Sequence, residues 1–388
     1  MFLSATDLQE MIETSVLDYL RNEYDFVARH NSIKAEQGIN PNVWQNFAEM
    51  GWLGLPLSEE EGGIGGGPIE AGLLMRAFGK ALVVEPYLSC VLRGTRLFSL
   101  TANDAQKALW LDELVAGTKR LVLAHEERFE SAPFAARKVT ACAQAGGYSL
   151  NGEKVLVAGA QAADALIVTA ELDGQTALFL VPTNTQGVTL KDQHALDSIH
   201  SADVILEQVT LSQDALLGAS AQHTELLHQV LAEAMIAQCW EAVGAMQAAV
   251  EQTAAYTQDR HQFGKSLSSF QVVQHRLAEM AVAYEDSLAA CQLASLKVQE
   301  NPQNAIAMAA LARSRVGRSA RDVAQSAVQL HGAMGVSEEL IVASIFRKLL
   351  AFHQQHGITQ SFSAAYGQHM LNTGNWRYSQ VLPRALNQ

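Results

Sequence analysis

Two short strings carry residue types suited to holding a diphosphate. In QDRHQFGKSLSSFQ, residues 258–271, Arg260 closes one helical segment and is followed by Phe263-Gly264; Ser266, Ser268 and Ser269 fill the connection, and Gln271 opens the next segment. A guanidinium beside a helix N-terminus offers bidentate charge on one side and free backbone N–H groups on the other, a good seat for a pyrophosphate. The same residues equally describe an Arg-capped turn between two helices. In QLHGAMG, residues 329–335, Gln329 closes a helix, and Gly332 and Gly335 leave room for close approach to the backbone. An ordinary glycine helix terminus reads the same way. A third stretch, AFHQQHGITQ, crowds two histidines and three glutamines behind the apolar IVASIFRKLL, and is either a site for a base or a solvated turn.

Other candidates fall away on spacing. The glycines of SEEEGGIGGGP do not fit GxGxxG and no βαβ unit surrounds them, so they read as a flexible connection near a substrate mouth. Cys90, Cys142, Cys239 and Cys291 form no CxxC pair, which points to reduced thiols rather than zinc or disulfides. No cluster of ligands has metal-site spacing.

The elements that must position these residues fall into three regions. Residues 1–117 show helical periodicity, including an Asn-Pro start at NPNVWQNF. Residues 118–215 switch to short alternating runs broken by Gly-Gly, Asn-Gly and Asp-Gly, an all-β module, barrel or sandwich. Residues 220–368 return to helical period in four long segments, 223–258, 268–299, 303–331 and 338–352, which predicts a four-helix bundle; residues 369–388 read as a tail. The fold class expected is α+β, with the helical, β and bundle domains in that order.

The chain has 388 residues, is 48% hydrophobic and only 17% charged, and carries a formal net charge of -13. A sparsely charged surface suggests an oligomer, and the acidic balance disfavours nucleic acid. The N-terminus lacks a basic and apolar leader, and the most apolar helix is interrupted by polar residues, so a cytoplasmic protein without a membrane span is expected.

Arg-x-x-Phe-Gly followed by Phe-Gln, then Gln-x-x-Gly-x-x-Gly about 70 residues after Arg260, resembles the acyl-CoA dehydrogenase family, and so does the order of the three regions. Stretches such as LGLPLSEEEGGIGGG, GKALVVEPYLS and RHQFGKSLSSFQVVQHR are similar to its pimeloyl-CoA dehydrogenase small-subunit type, a class that works beside a larger related chain. The resemblance implies FAD at a subunit interface, with Arg260, Phe263, Gln271, Gln329, Gly332 and Gly335 holding its ADP part in the neighbouring subunit. It also implies hydride transfer from the substrate β-carbon to the flavin while a carboxylate takes the α-proton.

Departures from the family pattern concern the flavin ring and the base. The family's Thr-Glu-Pro string is His125-Glu126-Glu127 here, with only Glu126 in agreement, and its Trp-x-Thr becomes Leu156-Val157-Ala158. The usual catalytic glutamate before a glycine is His356, and its second location is Ala234. Two substitutes are expected to matter. His356 titrates near neutrality or is a polar remnant. Glu241 lies two turns beyond Ala234 in apolar CWEAVGAM, as a base of raised pKa or a hydrogen-bonded structural acid. Glu233 points away and reads as surface. Arg313, Arg315, Arg318 and Arg321 share one helix and read as solvated or inter-subunit.

The resemblance therefore implies FAD-dependent α,β-desaturation of an acyl-CoA thioester, with electrons passing to an electron-transfer flavoprotein, in a homodimer, homotetramer or heterotetramer with a larger related subunit. The empty carboxylate positions keep two alternatives open: a non-catalytic partner subunit whose base lies on the other chain, and a flavin oxidase or monooxygenase. The small-subunit likeness points to a polar or bulky acyl group.

Overall fold

Helix starts are set by side-chain caps in the first region. Thr6 and Gln9 cap α1 (Asp7–Glu23) reciprocally, Asp25 caps α2 (Phe26–Lys34), and Asn40 caps α3 (Pro41–Glu49), whose first position is the proline. Two further helices, α4 (Pro68–Ala81) and a π-helical stretch Leu88–Thr95 running into α5 (Arg96–Thr101), precede α6 (Asp104–Val115). The computed structural model describes residues 5–128, 132–135, 137–337, 339–355 and 359–374.

The β region is one seven-stranded sheet of β1 (Leu121–Ala124), β2 (Thr140–Gln144), β3 (Gly147–Ala158), β4 (Ala165–Leu172), β5 (Gln175–Pro182), β6 (Val188–His194) and β7 (His200–Ser212). Its order is β1-β4-β2-β3-β7-β6, with β5 paired to β4. Pairing is antiparallel except for β1 and β2 against β4. Register shifts between Leu150/Gly152 and Lys154/Val157 bend β3, and Leu156 at the second shift has φ 51.

The bundle consists of α7 (His223–Asp259), α8 (Gln271–Glu300), α9 (Ala305–His331) and α10 (Ile341–Gln354), with α7 and α8 joined by a hairpin of β8 (His261–Gln262) and β9 (Lys265–Ser266). Helix α11 (Thr359–Thr373) extends past the expected start of the tail and packs on α9. Backbone contact ties α4 to α7: a Cβ on Gly79 would lie 1.8 Å from Glu241 O, and one on Gly244 1.9 Å from Arg76 O. One core cluster therefore runs through all three regions. Among the described residues no helix is long and apolar enough to cross a membrane.

Candidate active site

A cavity of about 860 Å³ opens where the three regions meet. That is ample for a small-molecule site. The segment before the π-helical stretch lines it with Glu85, the sheet with Glu126–Arg128, Leu156 and Asp197, and the bundle with Gln238, Glu241 and Lys348.

Glu241 is the bundle carboxylate placed there. Its Oε1 lies 2.7 Å from Lys348 Nζ, and Lys348 lies 3.7 Å from Asp197 of the β6–β7 loop. All three side chains are at most 10% exposed. Burial pushes the Glu241 carboxyl above the usual range although Lys348 pulls the other way. For Lys348 burial acts downward, but Glu241 and Asp197 outweigh it and hold the ammonium above its ordinary value. The Glu241 Oε2 atom makes no hydrogen bond among the described residues, so one oxygen is anchored and the other is open to a proton.

On the sheet side Leu156, at the β3 bulge, is 61% exposed and lines the cavity. Glu126 pairs with Arg93 at 3.3 Å. Behind them lies a buried polar cluster. Lys154 Nζ donates to Glu127 Oε1 at 2.7 Å and Thr169 Oγ1 at 2.9 Å, and Glu127 accepts from the backbone N–H groups of Lys138 and Val139. His125 Nε2 lies 2.7 Å from Arg137 Nη2 and 3.0 Å from the Pro133 carbonyl oxygen, and Nδ1 lies 3.1 Å from Thr169 Oγ1. Burial, first of all, lowers His125 to about 3 and Lys154 to about 8.

Tyr256, two residues before the first diphosphate string, stacks on His331 of the second at 4.3 Å. Arg260 caps α7 and is exposed, with no side-chain partner among the described residues. Phe263 is 90% exposed and, at φ 55 beside Gly264 at φ 79, forms the two-residue turn of the β8–β9 hairpin. Gln271 begins α8 and Gln329 lies in the last turn of α9, both exposed. Gly332 ends α9 at φ 61 with nothing within 4 Å of where a Cβ would stand; Gly335 is buried against Val328. An uncommitted guanidinium, an exposed ring and open space at Gly332 fit a diphosphate-bearing cofactor held from outside the chain.

Several expectations need revision. His356 lies outside the described residues. Ala234 is buried and absent from the cavity wall. Glu233 is half-buried rather than surface, 3.6 Å from Arg96. Arg313 is not solvated: it is 1% exposed, donates to the carbonyls of Phe352 and Gln355 that end α10, and stacks on the Phe352 ring at 3.9 Å. The glycine-rich loop before α4 does not line the cavity. Lys348 and Asp197 escaped the sequence reading. The signal for Lys348 was present, since it shares the apolar stripe of Ile345, Leu349 and Phe352 and so demands a buried acid.

Comparison with known proteins gives the chain's family and fold. Residues 6–118 match the model of the acyl-CoA dehydrogenase N-terminal domain and residues 225–361 that of the acyl-CoA dehydrogenase C-terminal domain, together more than half of the chain. The chain is 28% identical over 354 residues to the Bacillus subtilis (strain 168) protein named "Probable acyl-CoA dehydrogenase YngJ", covering 88% of this chain and 92% of that one. It is 26% identical over 339 residues to the caffeyl-CoA reductase-Etf complex subunit CarC of Acetobacterium woodii, covering 84% and 88%. The solved ChsE4-ChsE5 complex from Mycobacterium tuberculosis contains a chain of the same fold, with TM-score 0.86, 23% identity and coverage of 96% and 99%.

Proposed function

Because the chain belongs to the acyl-CoA dehydrogenase family, whose members use FAD, we propose that it takes part in FAD-dependent α,β-desaturation of an acyl-CoA thioester. In this reading the cleft between the three regions receives the thioester. Arg260, Phe263, Gln271, Gln329, Gly332 and Gly335 hold the ADP half of an FAD whose ring lies in a neighbouring subunit, and Glu126 adjoins the ring in this one. FAD, when bound, supplies the acceptor for the hydride leaving the β-carbon. Glu241 takes the α-proton on its open oxygen, the Cα–Cβ bond becomes double, and the two electrons pass on to an electron-transfer flavoprotein, as the Etf complex of the CarC relative suggests.

The observation that carries the reading is Arg260, exposed and without a side-chain partner among the described residues at the end of α7, a helix whose Tyr256 stacks on His331 next to Gly332. The decisive experiment is flavin retention and acyl-CoA-dependent reduction of an artificial acceptor by the purified chain. Activity that falls at least 100-fold in Glu241→Gln, with flavin absorbance kept, supports Glu241 as the base. A chain that stays colourless with added FAD, alone and with a related larger chain, sinks the reading.

A second reading is favoured by the Glu241–Lys348 pair at 2.7 Å. Protonating Glu241 leaves Lys348 with Asp197 alone, and breaking a buried pair costs about 3–5 kcal/mol, a heavy penalty for a base. The chain would then be the non-catalytic partner of a larger related subunit carrying the base. Activity that appears only on co-expression with such a chain, and that survives Glu241→Gln, selects this reading.

A further inference from the structure

We infer that the cleft sorts acyl groups by charge, accepting neutral or cationic ends and turning away those that end in a carboxylate. This rests on the reading that the cleft takes an acyl-CoA thioester, and it names the substrate class of that site.

The charge distribution in the wall carries the inference. Six carboxylates line the cavity, Glu85, Glu126, Glu127, Asp197, Asp203 and Glu241, against three cations, Arg93, Arg128 and Lys348. Each cation is already engaged: Arg93 with Glu126 at 3.3 Å, Arg128 with Glu153 at 3.0 Å and Asp203 at 3.4 Å, Lys348 with Glu241 and Asp197. Lys154 behind the wall answers Glu127. At the Lys348 end Glu241 and Asp197 share that ammonium, with the buried Arg29 guanidinium behind them in electrostatic reach of Asp197 and Glu85. Glu85, 5% exposed, accepts from Tyr24 Oη at 2.7 Å and has no cation within ion-pair distance among the described residues. An incoming carboxylate would meet twice as many wall acids as wall cations, each of those cations already beside an acid, across a low-dielectric gap.

Unsatisfied acceptors complete the picture. Glu85 Oε1 and Gln238 Oε1 are buried without hydrogen-bond partners, and Glu241 presents its second oxygen. A neutral apolar body meets the Met75 and Phe78 side of the cleft, and a positive end meets the acids.

The test is calorimetric titration of the purified full chain with three thioesters sharing the CoA moiety: butyryl-CoA, succinyl-CoA and 4-trimethylammoniobutyryl-CoA. The butyryl and trimethylammonio compounds should bind at least about tenfold tighter than succinyl-CoA. Asp197→Asn, which removes one wall carboxylate, should narrow the ratio between the cationic and anionic compounds several-fold. A variant that merely loosened the cleft would weaken all three together. Succinyl-CoA binding within about threefold of butyryl-CoA, or an unchanged ratio in Asp197→Asn, overturns the charge rule and leaves the acyl-CoA reading intact. Failure of all three to bind removes the acyl-CoA reading itself, and this inference with it.

Discussion

Glu241 and His125 show the same burial acting through opposite chemistry. Glu241 is an acid whose carboxyl burial pushes upward even beside a cation, whereas His125 is a base that burial, aided by Arg137 and Lys154, keeps neutral. The histidine makes the clearer pH prediction. Its folded pKa of about 3 lies below its unfolded value of 6.5, mainly through burial. Between those values the unfolded chain binds a proton that the folded chain refuses, so stability is present above the unfolded pKa and is lost as pH falls toward about 3. One such group costs up to about 1.4 kcal/mol per pH unit. Urea unfolding between about pH 5 and 6.5 should therefore show a slope that becomes shallower by about one proton in His125→Gln. An unchanged slope would mean that His125 already binds its proton in the folded state. The cluster was not legible in the sequence, because Lys154, Thr169 and Arg137 reach His125 only once β1, β3 and β4 lie together in the sheet.

At the scale of elements, the helices were legible where period and caps agree. The segments expected at 223–258 and 303–331 correspond to α7 and α9 at His223–Asp259 and Ala305–His331. What periodicity could not supply was the β8–β9 hairpin, which needs only two residues per strand. Its turn has a left-handed pair in which glycine is natural second but phenylalanine is unfavourable first, costing about 1–2 kcal/mol. A strained residue that is also 90% exposed packs little in its own chain, so the strain is repaid elsewhere. Phe263→Gly should leave the melting temperature of the flavin-free chain unchanged or raise it by a few degrees, while lowering flavin retention on gel filtration. A variant that melts lower and keeps its flavin would show the ring to be a structural prop.

At the scale of the molecule, the sequence disclosed three regions and their order, but the cleft exists only because α4 and α7 meet backbone to backbone at Gly79 and Gly244 and because Lys348 draws the β6–β7 loop onto the bundle. Those contacts pair residues far apart in sequence, which no local pattern reports. In the proposed reading the cavity of one chain and the Arg260 hairpin of its neighbour hold different parts of one cofactor. Its retention then becomes a property of protomer concentration. Serial dilution of the flavin-loaded protein should release flavin in step with dissociation of the protomers, read by recovery of flavin fluorescence alongside light scattering. Arg260→Ala should weaken retention by about 10- to 150-fold, the worth of about 1.5–3 kcal/mol for a hydrogen bond to a charged group, and should leave the far-ultraviolet circular dichroism of the flavin-free chain as it was, since an exposed side chain without a partner supports nothing in its own fold. Flavin that stays bound on protomers diluted to monomers would place the whole cofactor within one chain and remove the shared interface from the account.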